Sequence, residues 1–209
     1  MSKQISLKPE NLMKTPAWFF LMMLLHTPGI ATPPEVYRNF MPEAGPSAFG
    51  VVLGPDLALI YDPLRGGVNQ VWRGTLDLAP TRRAKINEAA AMVGAVFYQE
   101  TMGQPLRVGS ADTVPVRRFK GYRYQQEAVV FEFTLDGVRV RETLRTRRDG
   151  GVERMLSAPP GTVLFYLAEK QDGSRLTITG AEEIRPGVWR HEAAEGSTLT
   201  LNIEPLEKR

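Results

Sequence analysis

Cysteine is absent from this 209-residue chain, and histidine occurs only twice. Without a thiol there is no thiolate nucleophile, no thiolate metal site, no disulfide and no C-x-x-C-H attachment for covalent haem. His26 lies in an N-terminal segment with a character of its own, so beyond that segment His191 stands alone. A His-rich metal site and a relay of two imidazoles are thereby excluded. No G-x-S-x-G elbow frames Ser157, Ser174 or Ser197, which removes the usual setting of a hydrolase serine. The glycine pairs Gly66-Gly67 and Gly150-Gly151 lack the strand–loop–helix spacing of a phosphate cradle and read as turns. The chain is therefore expected to hold no metal site, no cofactor and no recognisable catalytic constellation.

A long apolar run is missing too. Ala17–Leu25, AWFFLMMLL, is well short of the roughly 20 residues that span a bilayer. Lys3, Lys8 and Lys14 precede this run, and His26-Thr27, Pro28-Gly29 and Ile30-Ala31 follow it. A positive flank, a short apolar stretch and small residues at Gly29 and Ala31 match a signal peptide, residues 1–31, cleaved after Ala31. Translation can start at Met1 or at Met13. The competing readings are an amphipathic anchor or a buried helix. Export implies a periplasmic or secreted protein with no membrane span after cleavage.

Export also changes the charge argument. Loss of residues 1–31 takes Lys+Arg from 26 to 23 and Asp+Glu from 23 to 22, so the net charge falls from +3 to +1. A nearly neutral chain gives no general case for nucleic-acid binding.

Sixteen prolines and nineteen glycines fall between short apolar runs, as in a turn-rich β fold. The remainder parses into an extended arm (32–48), a single domain (49–205) and a polar tail (206–209). FGVVLG (49–54), LALIYD (57–62) and VNQVW (68–72) read as strands. Strict alternation places Val68, Gln70 and Trp72 on one face and Arg73 on the other. TRRAKINEAAAMVG (81–94) carries helical spacing of Ile86, Ala89, Ala90 and Val93, which predicts one short helix over about 82–93 with Gly94 as its C-terminal stop. From Leu106 onward, strand-like runs follow one another with tight turns between them. The expected fold is all-β, an antiparallel β-sandwich, with a barrel as second choice.

One hairpin can be worked out in register. With Asp136-Gly137 as a two-residue turn, Leu135 faces Val138 and Phe133 faces Val140. Thr134–Arg139 and Glu132–Arg141 fall on the opposite side. Phe131 then meets Glu142, which points a carboxylate inward. A bulge relieves this; a buried functional carboxylate is the alternative.

Candidate chemistry is scattered. Asp62, Asp77, Asp112, Glu127, Glu132 and Glu142 include no pair selected by spacing for glycoside hydrolysis. Trp189 and His191 share a strand face, so a sugar-stacking ring can sit beside an imidazole. Arg139, Arg141, Arg145 and Arg147 share another, and Arg117, Arg118, Lys120 and Arg123 lie on a neighbouring strand. That ladder is either a seat for an acidic polysaccharide or a solvated face balanced by Glu127, Glu132 and Glu153. Trp72 is either a core plug or a sugar platform.

The string VYRNFMPEAGPSAFGVVLGPDLALIYDPLRGGVNQVWRG, followed by VFYQE, PLRVG and FKGYRY, resembles a domain of exported bacterial multidomain proteins. Those proteins join a c-type cytochrome to a sugar-dehydrogenase-like β-propeller. The positions that carry the resemblance are Tyr37, Arg38, Phe40, Met41, Pro42, Gly45, Pro46, Ser47, Ala48, Asp62, Trp72, Gly74, Phe119, Gly121 and Tyr122, within residues 36–145. The relatives often flank the aspartate with a cysteine pair; Ile60 and Gly66 stand near those places here. The resemblance implies an exported accessory domain in an oxidative or carbohydrate-processing setting, without haem of its own.

Together these readings point to a noncatalytic binding module that docks on a glycan or a partner protein, such as a redox or carbohydrate-processing enzyme. Its candidate ligand-binding residues are Asp62, Trp72, Tyr122, Trp189 and His191. The alternatives are a carbohydrate-active enzyme using Asp62, Glu132 or Glu142, and a structural envelope protein.

Overall fold

Short β-branched and aromatic runs broken by glycine and proline turns produce three antiparallel sheets in the computed structural model, which describes residues 33–83 and 88–206. The segment read as a signal peptide lies outside the described residues. A five-stranded sheet is ordered β1 (Glu35–Arg38), β2 (Phe49–Gly54), β3 (Leu57–Asp62), β4 (Gly67–Asp77), β5 (Ala91–Gln99). Part of the stretch read as an extended arm is thus an edge strand, β1, paired with β2. A four-stranded sheet is built from β6 (Leu106–Val108), β11 (Val163–Leu167), β14 (Val188–Glu192) and β13 (Glu182–Arg185). The six-stranded sheet is ordered β12 (Ser174–Thr179), β15 (Leu199–Pro205), β10 (Val152–Ser157), β9 (Val138–Thr146), β8 (Ala128–Leu135), β7 (Arg117–Gln125).

One face of the six-stranded sheet contributes to two apolar clusters. Val129 and Phe131 of β8, Leu144 of β9, Val152 of β10 and Ile203 of β15 pack with Val51, Leu59, Tyr61 and Val71 of the five-stranded sheet. Further along the same strands, Phe133, Leu135, Val140, Leu156 and Leu201 pack with Leu106, Leu164 and Tyr166 of the four-stranded sheet. Every one of these side chains is buried, and removal of this apolar area from water is the main favourable term holding the sheets.

The β8–β9 hairpin has the register read from the sequence, from Leu135↔Val138 through Glu132↔Arg141. Asp136 (φ 47°) and Gly137 (φ 86°) both take the left-handed conformation that a two-residue turn needs. The expected relief at Phe131↔Glu142 does not occur: the pairing runs through without a bulge, and Glu142 points inward, fully buried. The core supplies a cation instead.

Two readings are corrected by long-range pairing. The short helix α1 is described over Ala79–Arg83, residues 84–87 of the expected helix lie outside the described residues, and Ala91–Gly94, expected to end it, are the start of β5. Leu76 pairs with Met92 and Gly74 with Gly94, so cross-strand bonds to β4 outweigh the helix preference of the alanines. Gly94 (φ 139°) is not a helix stop. A Cβ there would lie 1.8 Å from the Arg73 carbonyl oxygen, so the strand crossing itself demands glycine.

The second correction concerns β4. Tyr61 pairs with Val68 and Ile60 with Gln70, leaving Asn69 as an extra residue. This bulge reverses the alternation within the strand. Val68 and Val71 face the six-stranded sheet, while Trp72 joins Met41, Ala48, Ala58, Ile60 and Ala90 in a separate cluster. The chain around Met41–Ala48 closes over that cluster, with Ala90 N donating to Phe40 O at 2.9 Å. Arg73 is exposed, on the opposite side from Trp72 as parity predicts.

Candidate functional site

Where the two clusters of the six-stranded sheet adjoin, the inward positions of β9 and β10 are occupied by Glu142 and Arg154. Their exposures are 0% and 1%. Arg154 Nε donates to Glu142 Oε1 at 2.7 Å, and Tyr61 OH donates to Glu142 Oε2 at 3.0 Å. Arg117 Nη2 donates to Tyr61 OH at 2.9 Å and its Nε to the Pro63 carbonyl at 3.0 Å. The Arg117 guanidinium lies 3.4 Å from the Phe133 ring centroid, and Tyr61 stacks on Phe131 at 3.7 Å. On the other side, Arg154 Nη1 donates to Tyr166 OH at 3.3 Å, and Tyr98 OH donates to Glu100 Oε2 at 2.8 Å. Glu100 is half-buried and brings the network to the surface.

The cluster draws residues from all three sheets, and its two arginines balance its two glutamates. Gly67 (φ 84°) forms part of its wall, because a Cβ there would come within 2.8 Å of Glu142 Oε2. The double glycine of YDPLRGGVNQVWRG is thus a turn whose second member also clears space for a buried carboxylate. Burial pulls the Arg154 pKa down, but the Glu142 carboxylate, with Tyr166 and Tyr98, together outweigh this and leave it raised. Burial drives the Tyr61 phenol well above its usual range, and Glu142 adds to this. Tyr98 is raised in the same way by burial and by Tyr166, and burial pushes Tyr166 up to about 12.

These raised phenol pKa values have a definite pH signature. A group whose folded-state pKa exceeds its unfolded value stabilises the fold below the unfolded value and loses that contribution as pH rises through the folded one. Tyrosine ionises near pH 10 when unfolded, so stability is expected to fall steeply above about pH 10. Urea unfolding across the alkaline range, followed with phenolate absorbance, checks this. A midpoint unchanged while the phenols titrate would contradict their burial.

The sequence-derived site residues do not converge. Trp72 is fully enclosed and its Nε1 donates to the Thr75 carbonyl at 3.0 Å, so it is a core plug and no sugar platform. Asp62, 1% exposed, accepts from the backbone N–H groups of Gly45, Leu64 and Arg65 at 3.0–3.2 Å and so fixes the turn after β3. Tyr122 is exposed on the edge strand β7, with ring contacts to Tyr124 and Phe49. His191 is buried: Nδ1 donates to the Gly180 carbonyl, Nε2 lies 3.5 Å from Ser197 Oγ, and among the described residues no carboxylate is bonded to it. Among the described residues, no three His, Asp or Glu side chains are grouped to hold a metal ion, and no helix is long and apolar enough to cross a membrane.

Trp189 has a different setting. It is half-buried against the second cluster and lines an open hollow of about 380 Å³ with Leu176, Ile178, Ser174, Glu169, Lys170, Arg175 and Glu183. Ser174 is 5% exposed, and its buried Oγ has no hydrogen-bond partner. An indole lining the hollow with two apolar side chains, and charges of both signs at the edge, offers a stacking face and several polar contacts.

The arginine ladder divides. Arg123 and Arg141 pair with Glu132, Arg145 with Glu153, and Arg147 with Asp149 and Glu204. The hydrogen bond from Arg123 holds the Glu132 carboxyl below its ordinary pKa. Arg117, grouped with the ladder by sequence, is instead turned into the core opposite Leu135.

Sequence reasoning missed Arg154 as the partner of Glu142. The signal was present in V-E-R-M-L, where alternation puts Val152, Arg154 and Leu156 on one face. Comparison with protein families, with curated proteins and with solved structures returns no match.

Proposed function

We propose that this chain is an exported, noncatalytic binding module, a β-sandwich that presents the Trp189 hollow to a carbohydrate, free or displayed on a partner. The observation that carries the reading is the half-buried indole of Trp189 in an open hollow edged by Glu169, Lys170, Arg175 and Glu183. A sugar ring meets both needs, since its C–H face stacks on an aromatic ring and its hydroxyls donate and accept. The acids considered for catalysis occupy separate structural positions: Asp62 in a turn, Glu132 between two arginines, and Glu142 in the core. The resemblance to accessory domains of cytochrome–propeller proteins, together with the secretory character of residues 1–31, favours a periplasmic or secreted setting.

A glycan array on the protein is expected to show selective binding that Trp189→Ala weakens by at least about tenfold, equivalent to about 1.4 kcal/mol. Tyr122→Ala should leave it unchanged. Silence across the array would retire the carbohydrate reading in favour of a protein ligand, and binding indifferent to Trp189→Ala would move the site elsewhere.

A further inference from the structure

On the outer face of the six-stranded sheet, one row of cations makes no direct ion pair among the described residues. Arg118 of β7 pairs in register with Thr134 of β8, and Thr134 with Arg139 of β9. Lys120, the extra residue of the bulge between Phe119 and Gly121, joins Arg118 and Thr134 around a shallow hollow. Arg118, Lys120 and Arg139 are all exposed, and none has a carboxylate within ion-pair distance among the described residues. Every other arginine of the ladder on this face is paired. The nearest acids are Glu132, paired with Arg123 and Arg141 and within electrostatic range of Arg139, and Asp136, which borders the hollow and accepts the Val116 N–H at 2.8 Å.

We propose that Arg118, Lys120 and Arg139, set around Thr134, form an anion-binding patch that receives the carboxylate or sulfate groups of an acidic polysaccharide. The backbones of β7 and β9 stand about 10 Å apart, two strand spacings, a span that a long guanidinium side chain on either strand can cover; Arg118 lines the hollow itself, and Arg139 borders the adjoining one with Arg141 and Ser157. An oxyanion above Thr134 takes forked N–H donors from either arginine and the hydroxyl of the threonine. Val116, 61% exposed in the same hollow, gives an apolar surface for the C–H face of a sugar ring. No aromatic side chain lines this hollow, which disfavours stacked bases, and the nearly neutral chain supplies no broad field for a nucleic acid. The choice of a glycan rests on the carbohydrate-docking reading; the position of the patch does not.

The test measures retention on immobilised polyuronate, with a neutral glucan and double-stranded DNA as competitors. The wild-type protein is expected to bind the polyuronate with an affinity that falls with salt. Arg118→Glu with Arg139→Glu should lower that affinity at least tenfold. A charge-matched control elsewhere, Arg38→Glu with Arg148→Glu, should keep it. Arg118→Gln with Arg139→Gln serves if charge reversal perturbs folding. No retention of the wild type, equal loss in the control, or equal competition by DNA would overturn the proposal. Loss of glycan binding in Trp189→Ala alone bears on the hollow and leaves the patch standing.

Discussion

Glu142→Ala is expected to destabilise the protein by about 3–5 kcal/mol, because it strands a guanidinium in the core. Arg154 would keep only its long contact to Tyr166 OH, and Tyr61 OH would lose its acceptor. Both groups are out of reach of water, so the full cost of leaving them unpaired applies. The pair as a whole is worth much less than this. Replacing both partners by apolar side chains, Glu142→Leu with Arg154→Met, is expected to recover most of the loss, since desolvating two charges offsets much of their attraction. Urea unfolding of the two single variants and the double variant measures the coupling directly. A Glu142→Ala protein within about 1 kcal/mol of wild type would mean that water reaches the cluster.

Trp72→Ala should cost a similar amount, about 3–5 kcal/mol, by a different mechanism. The indole is fully enclosed by side chains from three separate stretches of chain: Met41 and Ala48, Ala58 and Ile60, and Ala90. Its removal leaves a cavity under Met41–Ala48 and frees the Thr75 carbonyl that it caps. Carbohydrate binding by the folded fraction is expected to persist, because Trp72 lines no surface. The same unfolding curves, together with ligand binding under native conditions, separate the two roles. Loss of binding without loss of stability would reinstate Trp72 as a ligand residue.

The two variants probe features with very different visibility in the sequence. Glu142 is inward by simple counting from Asp136-Gly137, and its burial follows from the hairpin register alone. What counting does not reveal is whether the chain avoids an inward carboxylate or answers it. The answer comes from Arg154 on the next strand, Tyr61 on another sheet and Arg117 on the far side of β8. Those partners become neighbours only when sheets assemble, and Tyr61 and Glu142 are 81 residues apart. Trp72 shows the opposite case. Its burial agrees with the core reading of the sequence, but the face it uses does not, because one extra residue at Asn69 reverses the alternation.

The sequence by itself determined the local facts: the all-β pattern, the two-residue turn at Asp136-Gly137, the register of β8 on β9, and the separation of Trp72 from Arg73. Each depends on conformational preferences and two-residue periodicity over a few neighbours, which hold whatever the rest of the chain does. Tertiary structure decided whether Ala91–Gly94 is helix or strand, which face Trp72 buries, how Glu142 is neutralised, and which arginines of the ladder remain unpaired. These depend on pairing energies between distant segments, where a ladder of backbone hydrogen bonds or a buried counter-ion outweighs the fraction of a kcal/mol per residue that local propensity supplies. The functional surfaces belong to this second group, since Trp189 shares its hollow with residues of other strands, and Arg118 and Arg139 flank Thr134 only across strands.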